Sequence, residues 1–184
     1  IADEIYAALT YDGEHTSIAS MPGMRERTIV INGFSKAYAM TGLRLGYALG
    51  PAGAIGSMNR VHQYTMLSAP TTAQYAAVEA LRSCDDAVTE MTAEYNRRRR
   101  FVLSRFEEMG LDCFTSRGAF YAFPECGGDD EAFAEELLDE EGVAVVPGSV
   151  FGEGGEGHLR VSYATGMREL KTAMNRLETF YRGR

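Results

Sequence analysis

A β-branched segment followed by a lysine-containing loop constrains the fold of this chain more than any other part of its sequence. Residues 28–32 read TIVIN, and such a compact β-branched run predicts a buried strand. The loop GFSKAYAMTG follows, from Gly33 to Gly42, and a second strand is predicted at residues 43–49. A lysine just beyond the carboxyl end of a strand lies where α/β sheets usually bind ligands. The segment therefore predicts an α/β fold with a ligand site at Lys36.

Predicted strands and helices alternate along the remainder of the chain. Short strands are predicted at residues 1–3, 111–115, 120–123, 143–146 and 159–163. Helices are predicted to begin near Pro51 and Pro70, to span residues 85–109 and 130–141, and to close the chain. Their apolar positions at helical spacing are Ile55, Met58, Val61, Met66, Tyr75, Val78, Leu81, Met167, Leu170, Met174, Leu177 and Tyr181. The alternation favours an α/β architecture, and we place a domain boundary inside the long helix, between residues 1–95 and 96–184.

Net charge and composition narrow the classes of partner. The chain carries a net charge of −8, which argues against nucleic acid, because phosphate binding requires a basic surface. No apolar run approaches the roughly 18 residues of a membrane-spanning helix, and no segment resembles a signal peptide. We therefore expect a cytoplasmic protein without a membrane partner. The three cysteines and three histidines are widely scattered and predict no metal site.

Two charged clusters and a glycine-rich segment are given ordinary structural interpretations. Nine acidic residues crowd residues 125–141, and we interpret them as a solvated helix face. The four arginines at residues 97–100 cover every side of a helix, and we expect them to be solvated and to pair with acids such as Glu94 and Glu107. The segment GEGGEG, residues 152–157, is interpreted as a flexible loop.

Lys36 and Arg44 suit a ligand that carries both a carbonyl and a phosphate. An amine forms an imine with a carbonyl, and a planar guanidinium binds two phosphate oxygens at once. Arg44 lies eight residues after Lys36, at the start of the predicted second strand. On spacing alone the alternative stays open, namely a solvated lysine and an arginine in a surface ion pair.

The 14 residues GFSKAYAMTGLRLG, at positions 33–46, resemble the cofactor-lysine signature of the class I and II aminotransferases. The resemblance implies that Lys36 holds pyridoxal 5'-phosphate as a Schiff base and that Arg44 binds the cofactor phosphate. Some members carry a serine at the position of Gly33, so this hydroxyl contact is either missing here or supplied by Ser35. The resemblance also implies a fold-type I enzyme, with residues 1–95 in the back of the large cofactor domain and residues 96–184 in the small domain.

Two more motifs extend the resemblance over nearly the whole chain. Residues 3–6, DEIY, resemble a D-x-x-Y element in which the aspartate, here Asp3, pairs with the pyridine nitrogen and the tyrosine, here Tyr6, meets the ring oxygen. A carboxylate at that place keeps the ring protonated, and a protonated ring is a strong electron sink. Residues 158–162, HLRVS, resemble an element whose arginine, here Arg160, binds the substrate α-carboxylate. Taken alone, a capping aspartate, a packed tyrosine and a solvent-facing arginine would be the ordinary interpretations.

The resemblance implies a homodimeric aminotransferase that moves an amino group from an L-amino acid to a 2-oxo acid. Aspartate and 2-oxoglutarate are the expected pair. The chain begins with Ile1 inside an apolar segment, so we expect a fragment of a longer protein that has little activity alone. Alternatives are a lyase of the same fold, a folded non-catalytic truncation, and the ligand-sensing domain of a transcription regulator. Such sensors usually carry a proline in the lysine loop, and residues 39–42 contain none.

Overall fold

The computed structural model, in which residues 1–183 are described, divides into two compact units. The first unit is Ile1–Thr92 and the second is Ala93–Arg184. The division lies inside the helix Asp85–Met109. The assignment of the two units to the large and small domains of an aminotransferase stays a prediction.

The first unit contains a three-stranded sheet that brings two predicted site segments to one edge. Its strands, in the order in which they lie across the sheet, are β1 (Ala2–Asp3), β2 (Val30–Gly33) and β3 (Gly46–Leu49). β1 and β2 are parallel, with Asp3 opposite Ile31, whereas β2 and β3 are antiparallel, with Gly33 opposite Gly46. Because β1 and β2 run in the same direction, their carboxyl ends lie at the same edge of the sheet.

The lysine loop departs from the predicted strand pattern in one place. A one-turn helix, α1 (Phe34–Ala37), follows β2 directly, and a 3-10 helix at Thr41–Leu43 follows α1. Ala39 and Arg44 both adopt left-handed backbone conformations, each with φ of 53°. The strand predicted at residues 43–49 therefore begins only at Gly46, because a left-handed residue cannot continue an extended strand.

Two helices of the first unit leave large apolar residues exposed. Helices α2 (Ala52–Thr65) and α3 (Thr71–Ser83) each follow a proline, as predicted. α3 buries only small residues, which are Ala73, Ala77 and Ala80, and α2 buries none. The large apolar residues left exposed on and just after these helices are Met58, Val61, Tyr64, Met66, Leu67, Tyr75, Val78 and Leu81. The predicted helical spacing is present, but it does not mark a buried face in these two helices.

The second unit combines two helices and the remainder of a third with an antiparallel sheet. The helices are α4 (Asp85–Met109, of which the part from Ala93 belongs here), α5 (Asp130–Glu141) and α6 (Met167–Gly183). The bounds predicted for α4 and α5 agree with the structure. The strands are β4 (Tyr121–Ala122), β5 (Val146–Pro147) and β6 (Leu159–Ser162), and β6 lies in the middle.

One side of α6 contributes to the core of the second unit. The buried residues of α6 are Leu170, Met174, Leu177 and Phe180, which recur at helical spacing. Phe180 packs edge-to-face on Phe133 of α5, with ring centroids 5.1 Å apart. Burying each such side chain stabilises the fold by about 1.5–3 kcal/mol. Three residues of the predicted stripe are therefore buried, whereas its two ends, Met167 and Tyr181, are only half-buried.

The predicted strands of the second unit are shorter in the structure. Residues 111–115 form no strand, and only one isolated bridge joins Cys113 to Pro124. A proline has no N–H group, so the hydrogen-bond ladder cannot continue through Pro124 on its donor side. β4 and β5 contain two residues each, whereas the β6 prediction at residues 159–163 holds to within one residue.

The charged clusters are only partly solvated. Arg97 and Arg98 pair with Glu94, at N–O distances of 2.7 and 2.8 Å, as predicted. Arg99, in contrast, is only 4% exposed and donates hydrogen bonds to the Ser116 carbonyl oxygen and to an amide oxygen of α4. Asp130 was interpreted as part of a solvated acidic face, yet it is only 5% exposed. Within residues 1–183, no helix is long and apolar enough to cross a membrane.

Candidate active site

Lys36 and Tyr6 come together beside the carboxyl edge of the first sheet. Lys36 lies in α1, directly after β2, and its side chain is half-buried. Tyr6 lies in a turn after β1, where Leu9, at 0% exposure, anchors the segment in the core. The Lys36 Nζ atom lies 5.6 Å from the centroid of the Tyr6 ring, within the range of a cation–π interaction. Two residues far apart in sequence, both predicted to bind the cofactor, are thus neighbours.

Asp3 ends β1 at the same edge. The Glu4 amide donates a hydrogen bond of 2.8 Å to the Ile31 carbonyl oxygen, which fixes the backbone where Asp3 leaves the strand. The Asp3 Oδ1 atom accepts a hydrogen bond of 3.2 Å from the Ile5 amide. The residue is exposed in this chain, so its carboxylate is accessible to a ligand. The position suits the predicted role beside a ring nitrogen.

A cluster around Glu4 supports this segment and was not predicted from the sequence. The Ser17 hydroxyl donates a hydrogen bond of 2.7 Å to Glu4, and the His15 Nε2 atom lies 3.2 Å from the other carboxylate oxygen. Burial of Glu4 raises the pKa of its carboxyl group, but the bonds from Ser17 and His15 outweigh burial and leave the pKa below its usual range. The cluster ties the chain after Tyr6 back to the end of β1. No local spacing rule connects Glu4 to Ser17, so no sequence signal could have found it.

Ser35 and Arg44, the two predicted phosphate ligands, are joined through Thr41. The Thr41 hydroxyl donates a hydrogen bond of 2.9 Å to the Ser35 carbonyl oxygen, and Arg44 Nη1 donates one of 2.8 Å to the Thr41 carbonyl oxygen. These bonds hold the exposed Arg44 side chain close to α1. A guanidinium has five N–H donors, so a bond to one carbonyl leaves several of them for an anion.

Close backbone packing explains the glycine at position 33. A Cβ atom there would lie 3.0 Å from both the Gly46 Cα atom and the Leu45 carbonyl oxygen. That is a few tenths of an ångström tighter than ordinary van der Waals contact, so a serine would push β2 and β3 apart. The Phe34 amide also donates to the Leu45 carbonyl oxygen, at 3.2 Å. Close packing of β2 against β3 therefore leaves little room for a side chain at position 33.

Arg160 belongs to the second unit and is enclosed by aromatic rings there. It lies in β6, opposite Val146 of β5. Its guanidinium carbon is 4.7 Å from the centroid of the Tyr121 ring and 4.7 Å from that of the Phe151 ring. The side chain is half-buried and near both rings, and its role as a substrate ligand stays a prediction.

Further aromatic contacts extend this enclosure. The His158 ring stacks on Phe123, with centroids 5.2 Å apart and planes 10° apart, and Phe123 meets Phe151 edge-on at 6.4 Å. The pairing register explains the grouping, since Tyr121 pairs with Ser162 and a bridge joins Glu125 to His158. Alternate residues of the two segments share one face of the sheet. The sequence alone does not reveal this grouping of aromatic rings, because it depends on the register with which the strands pair.

The donor set of the first unit fits pyridoxal phosphate. This molecule requires an amine to bind its aldehyde and a guanidinium and a serine to bind its phosphate. It also requires a carboxylate beside its protonated ring nitrogen. Lys36, Arg44, Ser35, Asp3 and Tyr6 supply these groups from one edge of the sheet and the loops beside it. In the second unit, Arg160 supplies a guanidinium suited to a planar carboxylate.

Fold and donor set together define an α/β protein with a candidate ligand site around a lysine at the carboxyl edge of a sheet. Within that class, the chain belongs to the aminotransferase class I and II family, whose sequence profile matches residues 1–177. The predicted family is thereby confirmed, and this is a family of pyridoxal-phosphate enzymes.

Individual relatives support the same assignment. The chain is 48% identical to an aspartate aminotransferase of Pyrococcus abyssi over 99% of its length and 48% of that protein. It is 47% identical to aromatic-amino-acid aminotransferase 2 of Thermococcus litoralis, covering 97% of this chain and 47% of that protein. The solved structure of an aromatic aminotransferase from Pyrococcus horikoshii matches with a TM-score of 0.95 and 46% identity, over 98% of this chain and 50% of that chain. The fold class is confirmed, and the chain spans about half the length of the relatives that it matches.

Proposed function

We propose that the protein to which this chain belongs is a pyridoxal-phosphate-dependent aminotransferase that moves an amino group from an L-amino acid to a 2-oxo acid. The observation that carries the proposal is the meeting of Lys36 with Tyr6, where the Nζ atom lies 5.6 Å from the ring centroid at the edge where β1 and β2 end. The family match over residues 1–177 supports it.

Lys36 has two tasks in this proposal. Its Nζ atom would hold the cofactor through the aldehyde until a substrate amine takes its place. As a free amine, Lys36 would then remove the proton from the substrate α-carbon and deliver a proton to the cofactor carbon on the other side of the imine nitrogen, so that one group acts as base and as acid. Bound pyridoxal phosphate supplies the electron sink that stabilises negative charge at that carbon. The half-buried position of Lys36 suits this work, since the amine is held by the fold and still reaches a ligand.

The other residues of the first unit orient the cofactor. Asp3 holds a proton on the ring nitrogen, and the Tyr6 hydroxyl hydrogen-bonds the ring oxygen. Arg44 and Ser35 bind the phosphate, and the hydrogen bonds through Thr41 link the Arg44 side chain to the Ser35 backbone. Each of these roles favours the charged form of the cofactor in one orientation.

Arg160 binds the substrate α-carboxylate in this proposal. Its guanidinium carbon lies 4.7 Å from the ring centroids of Tyr121 and Phe151, and a guanidinium can form a bidentate pair with a planar carboxylate. The side chain is half-buried, which strengthens a charge-assisted bond relative to one in open solvent.

For the substrate pair we propose aspartate and 2-oxoglutarate. An aspartate aminotransferase and an aromatic-amino-acid aminotransferase match the chain almost equally, at 48% and 47% identity. The measurement is therefore a comparison of kcat/KM for aspartate, phenylalanine and tyrosine on the complete protein. A preference for an aromatic substrate would overturn the aspartate assignment and leave the reaction class intact. Formation of pyruvate and ammonia in place of a 2-oxo acid would indicate a lyase.

We also propose that the protein is a homodimer. The large apolar residues that α2 and α3 leave exposed include Tyr64, Tyr75 and Leu81, at 91%, 74% and 60% exposure. Contiguous exposed apolar side chains of this size mark surfaces that other protein covers. Sedimentation of the complete protein at micromolar concentration tests this, and a monomer would contradict it.

The lysine content of the chain allows a sharp test of the cofactor site. Lys36 and Lys171 are its lysines, and Lys171 is exposed on α6. We expect added pyridoxal phosphate to give an absorbance band in the complete protein and in Lys171→Ala, but not in Lys36→Ala. Borohydride reduction followed by peptide mapping should locate the label on Lys36. Labelling that is equal at both lysines would overturn the proposal.

The 184-residue chain alone is proposed to lack transaminase activity, because it spans only about half the length of the relatives that it matches. Aspartate-dependent turnover by the purified chain, abolished in Lys36→Ala, would overturn that statement. The same experiment leaves the assignment of Lys36 standing.

A further inference from the structure

A buried carboxylate far from Arg160 in sequence holds the loop that covers Arg160. Asp130, at the start of α5, is 5% exposed. Its Oδ2 atom accepts a hydrogen bond of 2.7 Å from the Ser149 amide, and its Oδ1 atom accepts one of 3.3 Å from the Gly157 amide. The hydrogen bond from the Ser149 amide lowers the pKa of Asp130 below its ordinary value despite burial, so the carboxylate stays ionised at neutral pH. Both ends of the segment 149–157 are therefore attached to one side chain.

The held segment is shaped to present Phe151. A 3-10 helix spans Gly148–Phe151 and a second spans Glu153–Gly155, with hydrogen bonds from Gly152 to Ser149 and from Gly155 to Gly152. Phe151 is 52% exposed, so the core does not hold its ring. The ring nevertheless lies 4.7 Å from the Arg160 guanidinium carbon. The segment that was interpreted as a flexible loop has a defined, anchored conformation.

We propose that Asp130 is a positioning residue for substrate binding: it fixes the segment 149–157 so that Phe151 closes the guanidinium of Arg160 against Tyr121. The inference rests on the proposed role of Arg160 as the ligand of the α-carboxylate. Neither Asp130 nor Phe151 contacts the carboxylate in this account. Both act through Arg160, by restricting the plane of its guanidinium.

The physical effect of the clamp is preorganisation. An arginine side chain has many rotamers, and each one lost on binding weakens the complex. Tyr121 lies on β4, diagonally across from Arg160 on the same sheet face, and supplies a fixed wall. Phe151 supplies the second wall only while its loop is held. The planar fork is thereby restricted before the carboxylate arrives.

The test compares Asp130→Asn with Asp139→Asn, which makes the same charge change at an exposed position of the same helix. An asparagine amide turns an N–H group toward one of the two backbone donors, so only one anchor remains. In the complete, pyridoxal-phosphate-loaded protein we expect KM for the amino acid to rise about tenfold in Asp130→Asn with kcat within about twofold. Asp139→Asn should match the unmodified protein.

A second readout does not depend on activity. With ¹⁵N-labelled arginine, the Nε–Hε resonance of Arg160, assigned by its loss in Arg160→Lys, should be shifted upfield by the two flanking rings. Asp130→Asn and Phe151→Leu should move it toward the position of unflanked arginines, whereas Phe151→Tyr, which keeps a ring, should not. Because Phe151 is half-exposed, its variants test the clamp even if Asp130→Asn fails to fold.

The two readouts separate the possible failures. An unchanged Arg160 resonance in both Asp130→Asn and Phe151→Leu would overturn the inference. A resonance that moves in these variants, while Arg160→Lys leaves KM unchanged, would support the clamp and overturn the carboxylate role of Arg160. If Asp130→Asn and Asp139→Asn change kcat and KM by equal amounts, Asp130 has no positioning role.

Discussion

The close approach of Gly148 and Gly155 gives the sharpest stability prediction for the second unit. A Cβ atom on Gly148 would overlap the Gly155 carbonyl oxygen and lie 2.8 Å from the His158 carbonyl oxygen. Two backbone hydrogen bonds close the same loop, from the Gly148 amide to the His158 carbonyl oxygen at 2.8 Å and from the His158 amide to the Gly155 carbonyl oxygen at 3.2 Å. Gly148→Ala therefore forces the two arms of the loop apart.

The expected magnitude combines overpacking, weakened hydrogen bonds and an opposing effect on the unfolded chain. Overpacking costs about 1–3 kcal/mol, and each strained backbone bond contributes about 0.5–1.5 kcal/mol. Alanine restricts the unfolded chain, which offsets about 0.4–1 kcal/mol. We expect Gly148→Ala to lower the free energy of unfolding by about 2–4 kcal/mol, and the melting temperature of a chain of this size by roughly 5–15 °C.

The control lies in the same loop. Gly154 has no heavy atom within 4 Å of an added Cβ atom, and its φ is not in the left-handed region. Gly154→Ala should leave stability within about 0.5 kcal/mol or raise it slightly. Both variants are compared by urea unfolding followed by circular dichroism, at unchanged m-value. If the two alanines have equal effects, the close approach of Gly148 and Gly155 does not exist in solution.

Two further predictions concern the arginine run. Arg99→Met should lower the free energy of unfolding by about 1.5–3 kcal/mol, because the buried Ser116 carbonyl oxygen loses a charged donor. The control, Arg100→Met at an exposed position, should change it by less than about 0.5 kcal/mol. Urea unfolding compares the two variants, and equal midpoints would refute the burial of Arg99. Glu94 has its pKa lowered from 4.5 to about 2, chiefly by a hydrogen bond from Arg97. Its folded pKa is depressed, so the stabilisation, at most about 1 kcal/mol for a partly exposed pair, is complete above pH 4.5 and declines as the pH falls toward 2. The difference in unfolding free energy between the unmodified chain and Glu94→Gln should follow that course, and a difference that does not vary with pH would contradict it.

Local sequence signals predicted the helices and the lysine loop well. The prolines before α2 and α3, together with regular apolar spacing, indicated helix positions that agree with the structure. Residues 33–46 identified the family, which the match over residues 1–177 confirmed. These features succeed because they are encoded within a few neighbouring residues.

Features that depend on pairing or on distant partners were not predictable in the same way. Asp130 looked like its acidic neighbours in sequence, and only the folded loop shows that it accepts two backbone hydrogen bonds. Arg99 was likewise indistinguishable from Arg97 in the sequence, because the carbonyl group to which it donates, that of Ser116, lies 17 residues away. Tyr121 and Phe151 meet Arg160 through strand register and loop shape, which no periodicity specifies.

Apolar spacing alone did not show which side of α3 is buried. Large apolar residues such as Tyr75 and Leu81 recur at helical spacing in α3, yet the helix buries its alanines. A small-residue face lets a helix approach its neighbour closely, and hydrophobic periodicity does not reveal which of two apolar faces will do so.

Two left-handed residues that follow Lys36, one inside the lysine loop and one just after it, affect both the stability and the order of the loop. Ala39 and Arg44, each at φ of 53°, cost about 1–2 kcal/mol apiece relative to ordinary helical backbone. A glycine at position 39 would adopt that conformation without the penalty, and would also admit many others. Alanine excludes most of those others. The loop with alanine is therefore less stable than one with glycine, but it restricts the Lys36 amine to a narrower range of positions. The resting backbone is thus strained toward one geometry, and part of the ordering that a ligand would otherwise impose is already present in the folded chain.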